Sequence, residues 1–472
     1  MQANRMTSAI RTAMERGVVF SIAAVFIVQQ LSHLKSLTFL LGGLVFLAVL
    51  LLLPRLKGMT LWLTVLFAAA GAILLSVRSA EAEVWFAAAG MNVTIVTLFL
   101  FAPLFGIPVR LPAYVEALKR FYEASFKSPA ALVAGSQLLT QILSVFINVG
   151  SIPVVYQLVF VKPRPGLHRL LAGAMNRGFA GAILWSPYFA AMTLVTTALR
   201  VPWSSILPHM LVLAVVSLVI GIAADVRDLR RARAEGSPPA SAAPAPGEAP
   251  GEAPLASEVR GGRASFPLGL GLYFVGAMIV ILTLEKTIDL PMVMLICIAA
   301  VCFPLAWCIA KGEVSFYRQG IRNHVTVTLP ALQKEIALFL AAGFFSGSIG
   351  ASSIGAVVSE LLAAIPLPVS ATFSILALLL VVGTAALGVH PIVLVAILAG
   401  SIDPYAVEMS SVSLAVLLLG CWAVSNPVSP ASAVNNLLAG LLKQSVLETA
   451  APNYKFAVGM SIALLLYVII FM

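Results

Sequence analysis

The chain has 472 residues, 60% of them hydrophobic and only 10% charged, and its mean hydropathy is +1.02. A soluble domain carries about 25% charged residues, so a compact fold of this composition could not cover its surface in water. The solvent is lipid, where a spanning helix takes about 20 apolar residues. The basic residues behind the net charge of +10 punctuate the apolar runs instead of clustering on one polar face. That pattern follows the positive-inside rule and argues against nucleic acid as a partner.

The N-terminus (Arg5, Arg11, Arg16, then an apolar run over 17–31) imitates a signal peptide. No small-x-small cleavage site follows, so a retained first helix with a cytoplasmic N-terminus is expected. Further apolar runs at 37–53, 59–77 and 84–106 read as spanning helices. Arg55 and Lys57 follow the second run, and Arg110, Lys119, Arg120 and Lys127 the fourth, all on the cytoplasmic side in this scheme. Residues 110–127 alternate apolar and charged positions at helical spacing and predict an amphipathic interfacial helix.

Residues 128–161 are apolar but interrupted by Asn148, Gly150, Ser151 and Pro153, with Lys127 before them and Lys162, Arg164 and Arg169 after. A re-entrant hairpin that enters and leaves from the cytoplasm satisfies both basic flanks, where a single crossing would not. Runs at 170–199 and 205–224 complete the first half. An Arg- then Ala/Pro/Gly/Glu-rich tract over 225–265, with its near-repeat from Pro246 to Pro254, predicts a disordered cytoplasmic linker. The second half offers helices at 267–284, 290–310 and 334–350, a Ser/Gly-rich segment to Pro366, a broken stretch over 370–402, and runs at 406–442 and 456–472.

The expected fold is an all-α polytopic membrane protein of the inner membrane, with about eleven transmembrane helices and two re-entrant hairpins. Its parts are an N-terminal segment with the first helix (1–35), a first repeat (36–224), the linker (225–265) and a second repeat (266–472).

Two local matches recur in the same order. Gly150-Ser-Ile-Pro-Val-Val matches Gly388-Val-His-Pro-Ile-Val, and Ser186-Pro-Tyr-Phe-Ala-Ala-Met-Thr-Leu matches Ser429-Pro-Ala-Ser-Ala-Val-Asn-Asn-Leu. An odd number of crossings separates the copies, so the repeats are of inverted topology, the recurring plan of secondary transporters. A proline within a helix frees a carbonyl that can meet a cation, and a half-helix N-terminus offers amides to an anion.

The order of these elements resembles the ion transporter superfamily, most closely its divalent anion:sodium symporter branch. That resemblance implies a hairpin followed by a helix unwound at its middle in each repeat. By similarity Asn148, Gly150 and Ser151 occupy the first tip, and Ser186 and Pro187 the first break. Gly388 and His390 lie at the second tip, and Asn426, Pro427, Ser429 and Asn435 at the second break. The tips here read Asn148-Val-Gly-Ser and Gly388-Val-His-Pro where the family carries Ser-Asn-Thr. The resemblance implies alternating-access transport of a small, anionic organic solute with sodium as coupling ion. Asn148, Ser151, Ser186, Asn426 and Ser429 are the candidate sodium contacts, and a homodimer is implied.

Several residues keep two readings. Arg177 is a snorkelling interfacial arginine or an anion contact. His390 is a packing residue or a substrate contact. Asn148 and Asn426 are interhelical glue or site residues, and Asn92, Thr94 and Thr97 read as glue. Gly343, Gly347, Ala351 and Gly355 form a stripe that permits close helix packing. Acidic residues stand at helix ends or in loops, as at Glu335 and Glu360, which favours neutral cation sites over a titrating carboxylate. The four cysteines lie in apolar runs without zinc spacing. No H-E-x-x-H, G-x-S-x-G or Walker A pattern occurs, so neither an enzyme nor a primary pump is expected. The remaining alternatives are a sodium/proton or metalloid-extrusion antiporter and a non-transporting scaffold or partner subunit. No cofactor beyond the coupling ion is implied.

Overall fold

A computed structural model describes residues 2–160, 166–235, 265–351, 362 and 364–472. The bulk of the expected linker (236–264), together with Lys162, Arg164, Gly355 and Glu360, falls outside the described residues.

Every regular element among the described residues is helical. Lipid demands this, because a helix satisfies its own backbone and an open strand does not. The first half runs through α1 (Gln2–Ser32), α2 (Ser36–Leu52), α3 (Gly58–Val77), α4 (Ala82–Ala89), α5 (Val93–Phe101) and the short α6 (Pro112–Ser125). It continues with α7 (Pro129–Ile147), α8 (Ser151–Val159), α9 (His168–Trp185), α10 (Ala190–Leu199) and α11 (Trp203–Glu235). The second half holds α12 (Leu268–Thr287), α13 (Met292–Ala310), α14 (Val314–Asn323), α15 (Gln333–Gly350), α16 (Val369–Ala386) and α17 (Pro391–Ser401). It ends with α18 (Ser411–Ser425), α19 (Ala433–Leu442) and α20 (Tyr454–Phe471).

Twelve helices among the described residues are long and apolar enough to cross a membrane. Ten of the eleven expected spans are among them. The two additions are the expected hairpins' own segments, Pro129–Val159 and Val369–Ala386. The expected helix at 334–350 instead joins 314–331 as a pair bent by 62°.

One boundary differs, one helix agrees and one is new. Helix α11 continues past Asp225 to Glu235, so the chain stays helical where the linker was expected to open. Its polar last turns follow an apolar stretch without a helix breaker, and hydropathy alone placed the boundary too early. The amphipathic helix is Pro112–Ser125, close to its expected range. A second amphipathic helix, α14, occupies a stretch to which the sequence reading had assigned nothing.

The two halves share local detail. Each has a long helix, a short break and a short helix: 19 and 9 residues in α7 and α8, 18 and 11 in α16 and α17. In each half a helix then breaks and resumes as a segment of ten residues, α10 or α19. Both segments end on a basic residue in the left-handed conformation, Arg200 or Lys443. The Ser-Pro matches fall in these two breaks, and the Gly-x-x-Pro matches in the two turns.

Small residues let the buried helices approach. Gly343 and Gly347 of α15 pack against Asn92 and Ala88. Asn92 Nδ2 donates to the Phe339 carbonyl at 3.0 Å, the glue expected of it. Helices α7 and α9 cross at Gly178, where a Cβ would collide with the Gln137 backbone carbonyl. Gly178→Val should therefore cost about 1–3 kcal/mol through overpacking, read as a lowered Tm in detergent. Gly440→Ala, where a Cβ meets nothing within 4 Å, should instead leave Tm unchanged or raise it.

Candidate functional site

The first turn and first break meet directly. Asn148 ends α7 with φ 54° and ψ −136°, outside the allowed wells of a residue that carries a Cβ. Its Oδ1 accepts from the Val149 amide at 2.7 Å. Ser151 Oγ donates to the Asn148 carbonyl at 2.8 Å and lies 2.6 Å from Ser144 Oγ. Ser186, wholly buried in the break between α9 and α10, donates to the Val145 carbonyl at 2.8 Å. It also caps the Tyr188 amide at 3.3 Å. Pro187 leaves its carbonyl to Thr193 Oγ1. The Tyr188 ring packs on Phe105 and Phe146, and its hydroxyl reaches the Ala277 carbonyl at 3.0 Å. Asn148, Gly150, Ser151, Ser186 and Pro187 thus form one polar cluster in an aromatic wall.

The second break is richer in asparagine. Between α18 and α19 the chain turns through Asn426, Pro427 and Ser429, and the Asn426 and Ser429 carbonyls accept from the Ser429 and Ser432 amides at 3.4 and 3.0 Å. Asn435 Nδ2 lies 3.4, 3.0 and 2.9 Å from the carbonyl oxygens of Asn426, Pro427 and Ser429 respectively. Its Oδ1 accepts from Asn176 Nδ2 of α9 at 2.5 Å. Ser432 Oγ donates to Asn426 Oδ1 at 3.0 Å. Asn453, ahead of α20, adds its Nδ2 toward the Pro427, Thr449 and Ala450 carbonyls. An amide NH₂ has two hydrogens, so the Asn435 and Asn453 nitrogens each face one carbonyl more than they can serve. The buried Oδ1 atoms of Asn176 and Asn453 have no donor at all. The cluster is thus dense in neutral oxygens, two of them unpaired, and such oxygens are the donor type a hard monovalent cation uses.

These two clusters are not one site held together by hydrogen bonds. Among the described residues no hydrogen bond joins Asn148, Ser151 or Ser186 to Asn426, Pro427 or Ser429. Asn176 of the first half makes the bridge to the second break. The sequence reading passed over Asn176 and Asn453, since a lone asparagine in an apolar run carries no spacing signal.

Gly388 and His390 belong with the second break as well. Gly388 turns the chain at φ 97°, and His390 Nδ1 accepts from the Ile392 amide to cap α17. The imidazole stands edge-on to Phe339 and Trp422. Both residues line a cavity of about 370 Å³ with Glu335, Pro430, Ala431 and Asn436. The histidine is a capping residue and also faces open space.

Arg177 does not snorkel. It is 2% exposed, and its Nη1 donates to Asp225 Oδ1 at 3.1 Å while Nη2 donates to Oδ2. The pair could not be foreseen while Asp225 was read as the first linker residue. It borders the largest cavity described, about 570 Å³, with Arg169, Arg231 and Lys455 on its wall. Lys455 in turn lies 3.8 Å from Asp228, one turn beyond Asp225. The two acids of α11 thus tie it to α9 and α20.

Removing one partner strands a buried charge, so Asp225→Asn should cost about 3–5 kcal/mol, seen as a large fall in Tm. Adding Arg177→Met to the same chain should recover most of that loss. An unchanged Tm in the single variant would show the pair to be solvated in the native protein.

No protein-family model and no curated protein matches the chain. Among solved structures it is similar to an Alcanivorax borkumensis protein described as the YdaH transporter with an unusual topology. The identity is 15%, the alignment covers 87% of this chain and 97% of that one, and the TM-score is 0.49.

Proposed function

We propose that the chain is a secondary transporter that moves a small anionic organic solute across the inner membrane by alternating access, with sodium as the coupling ion. The observation that carries this reading is the pair of helices broken inside the bundle, α9/α10 and α18/α19, each backed by a turn from the preceding helical pair. A purely structural membrane protein gains nothing from helices interrupted inside the bundle, whereas a transporter uses the exposed backbone and its side-chain partners to replace an ion's water. The inverted relation of the halves, a cytoplasmic N-terminus and linker, and a homodimer belong to the same proposal.

The second break supports sodium through its cluster of neutral oxygens: the carbonyls of Asn426, Pro427 and Ser429 beside the unpaired Oδ1 atoms of Asn176 and Asn453. The first break supports a second ion or the solute through Asn148, Ser151 and Ser186. In this scheme Arg177 attracts the anion when Asp225 yields, and the basic wall of the large cavity gathers anions at its mouth.

One observation favours a second reading. Glu335 Oε2 is buried without a partner and borders the cavity that holds His390. An intramembrane carboxylate of this kind serves proton-coupled antiport.

Purified protein in liposomes separates the readings. Sodium-gradient-driven uptake of an organic anion is expected, and Asn435→Ala should raise the sodium concentration for half-maximal uptake about tenfold. Sodium-induced proton release that is abolished by Glu335→Gln would replace symport with antiport. Absence of flux for every ion and anion offered would favour the scaffold reading.

A further inference from the structure

The stretch between α13 and α15 winds as the amphipathic helix α14 and then as a π-helical turn over His324–Thr328. Such turns are rare and concentrate at functional sites. Together with the end of the fourth span, α14 encloses a cavity of about 250 Å³. Arg110, Gln319, Asn323 and His324 form its polar side, and Ile107 and Phe316 its apolar side. The transport reading uses none of these residues.

His324 is 6% exposed, and its Nε2 lies 3.0 Å from the Leu100 carbonyl oxygen. A carbonyl only accepts, so the proton of the neutral ring sits on Nε2 and Nδ1 keeps a lone pair. That Nδ1 is buried and has no partner, while the imidazole borders the cavity. Arg110 supplies the positive charge. It makes no ion pair among the described residues, and its guanidinium lies where a Cβ on Gly150 would stand. The cavity therefore offers a guanidinium fork for an oxyanion, an acceptor for an N–H or O–H group, and an apolar wall.

We infer that this cavity binds an oxyanion that carries its own hydrogen-bond donor, with the oxyanion on Arg110 and the donor on His324 Nδ1. A phosphoethanolamine group has this chemistry, whether as the headgroup of a lipid or as a free solute. The amphipathic α14 belongs at the headgroup level, so either source can reach it. The inference stands apart from the transport reading, and liposome flux does not enter its test.

The test is native mass spectrometry of the purified full chain with phosphatidylethanolamine or phosphatidylcholine added. The choline headgroup has the phosphate but no N–H. One phosphatidylethanolamine should be retained, with phosphatidylcholine bound about tenfold more weakly. Arg110→Gln should weaken both lipids, and His324→Phe should abolish the discrimination between them. Displacement of the bound lipid by soluble phosphoethanolamine would make the free solute the ligand, and retention would make it the lipid. Equal retention of both lipids by the unmodified chain, or unchanged retention in Arg110→Gln, would overturn the inference. So would the absence of binding by either lipid and by phosphoethanolamine. The lipid comparison needs no variant, so it decides even if His324→Phe does not fold.

Discussion

The need to satisfy backbone polar groups without water governs this bundle. A continuous helix meets it for nothing, yet the chain interrupts its helices at 148–150, 186–189, 387–390 and 426–432. Each interruption is met by side chains placed for it. Ser186 covers Val145, Ser151 covers Asn148, His390 caps α17, and Asn435 covers three carbonyls of the second break. Pro391 and Pro427 stand in the first turn of the helix that resumes, where the N–H they lack would have no helical partner. Each break therefore presents carbonyls from the helix that ends and amides from the helix that begins.

The two halves meet this constraint in different currencies. The first break is served by hydroxyls and walled by Tyr188, Phe105 and Phe146. The second is served by amides, from Asn176, Asn435 and Asn453, contributed by three separate helical regions. Each amide brings two donor hydrogens and a carbonyl oxygen where a hydroxyl brings one hydrogen, so the second cluster links more backbone groups per side chain than the first. The two breaks thus share a backbone plan and differ in chemistry.

Much of the fold was legible because lipid simplifies the code. Apolar runs of spanning length gave ten spans directly, and Gly, Pro and Ser residues marked these four interruptions. Composition could not rank polar residues inside those runs. Asn176 looked incidental and Asp225 looked like the edge of a linker, since each acquires meaning only from a partner 259 or 48 residues away. The stretch carrying α14 and His324 was missed for a related reason: its amphipathic turn is too short and too polar to register as a span. Its partner Arg110 had been read only as an orienting charge.

The placement of Arg177 connects the electrostatics to the second break. Over Gly173 its Nη2 and the free Oδ1 of Asn453 approach the same point, 3.4 Å from where a Cβ would stand. Asn453 in turn reaches the Pro427 carbonyl. An anion that took Asp225's place on the guanidinium would leave that carboxylate buried and uncompensated, a cost of several kcal/mol. In the proposed transport cycle a cation held by the nearby asparagine oxygens would offset part of that charge, so the Arg177–Asp225 pair and the asparagine cluster beside it would favour anion and cation together over either alone.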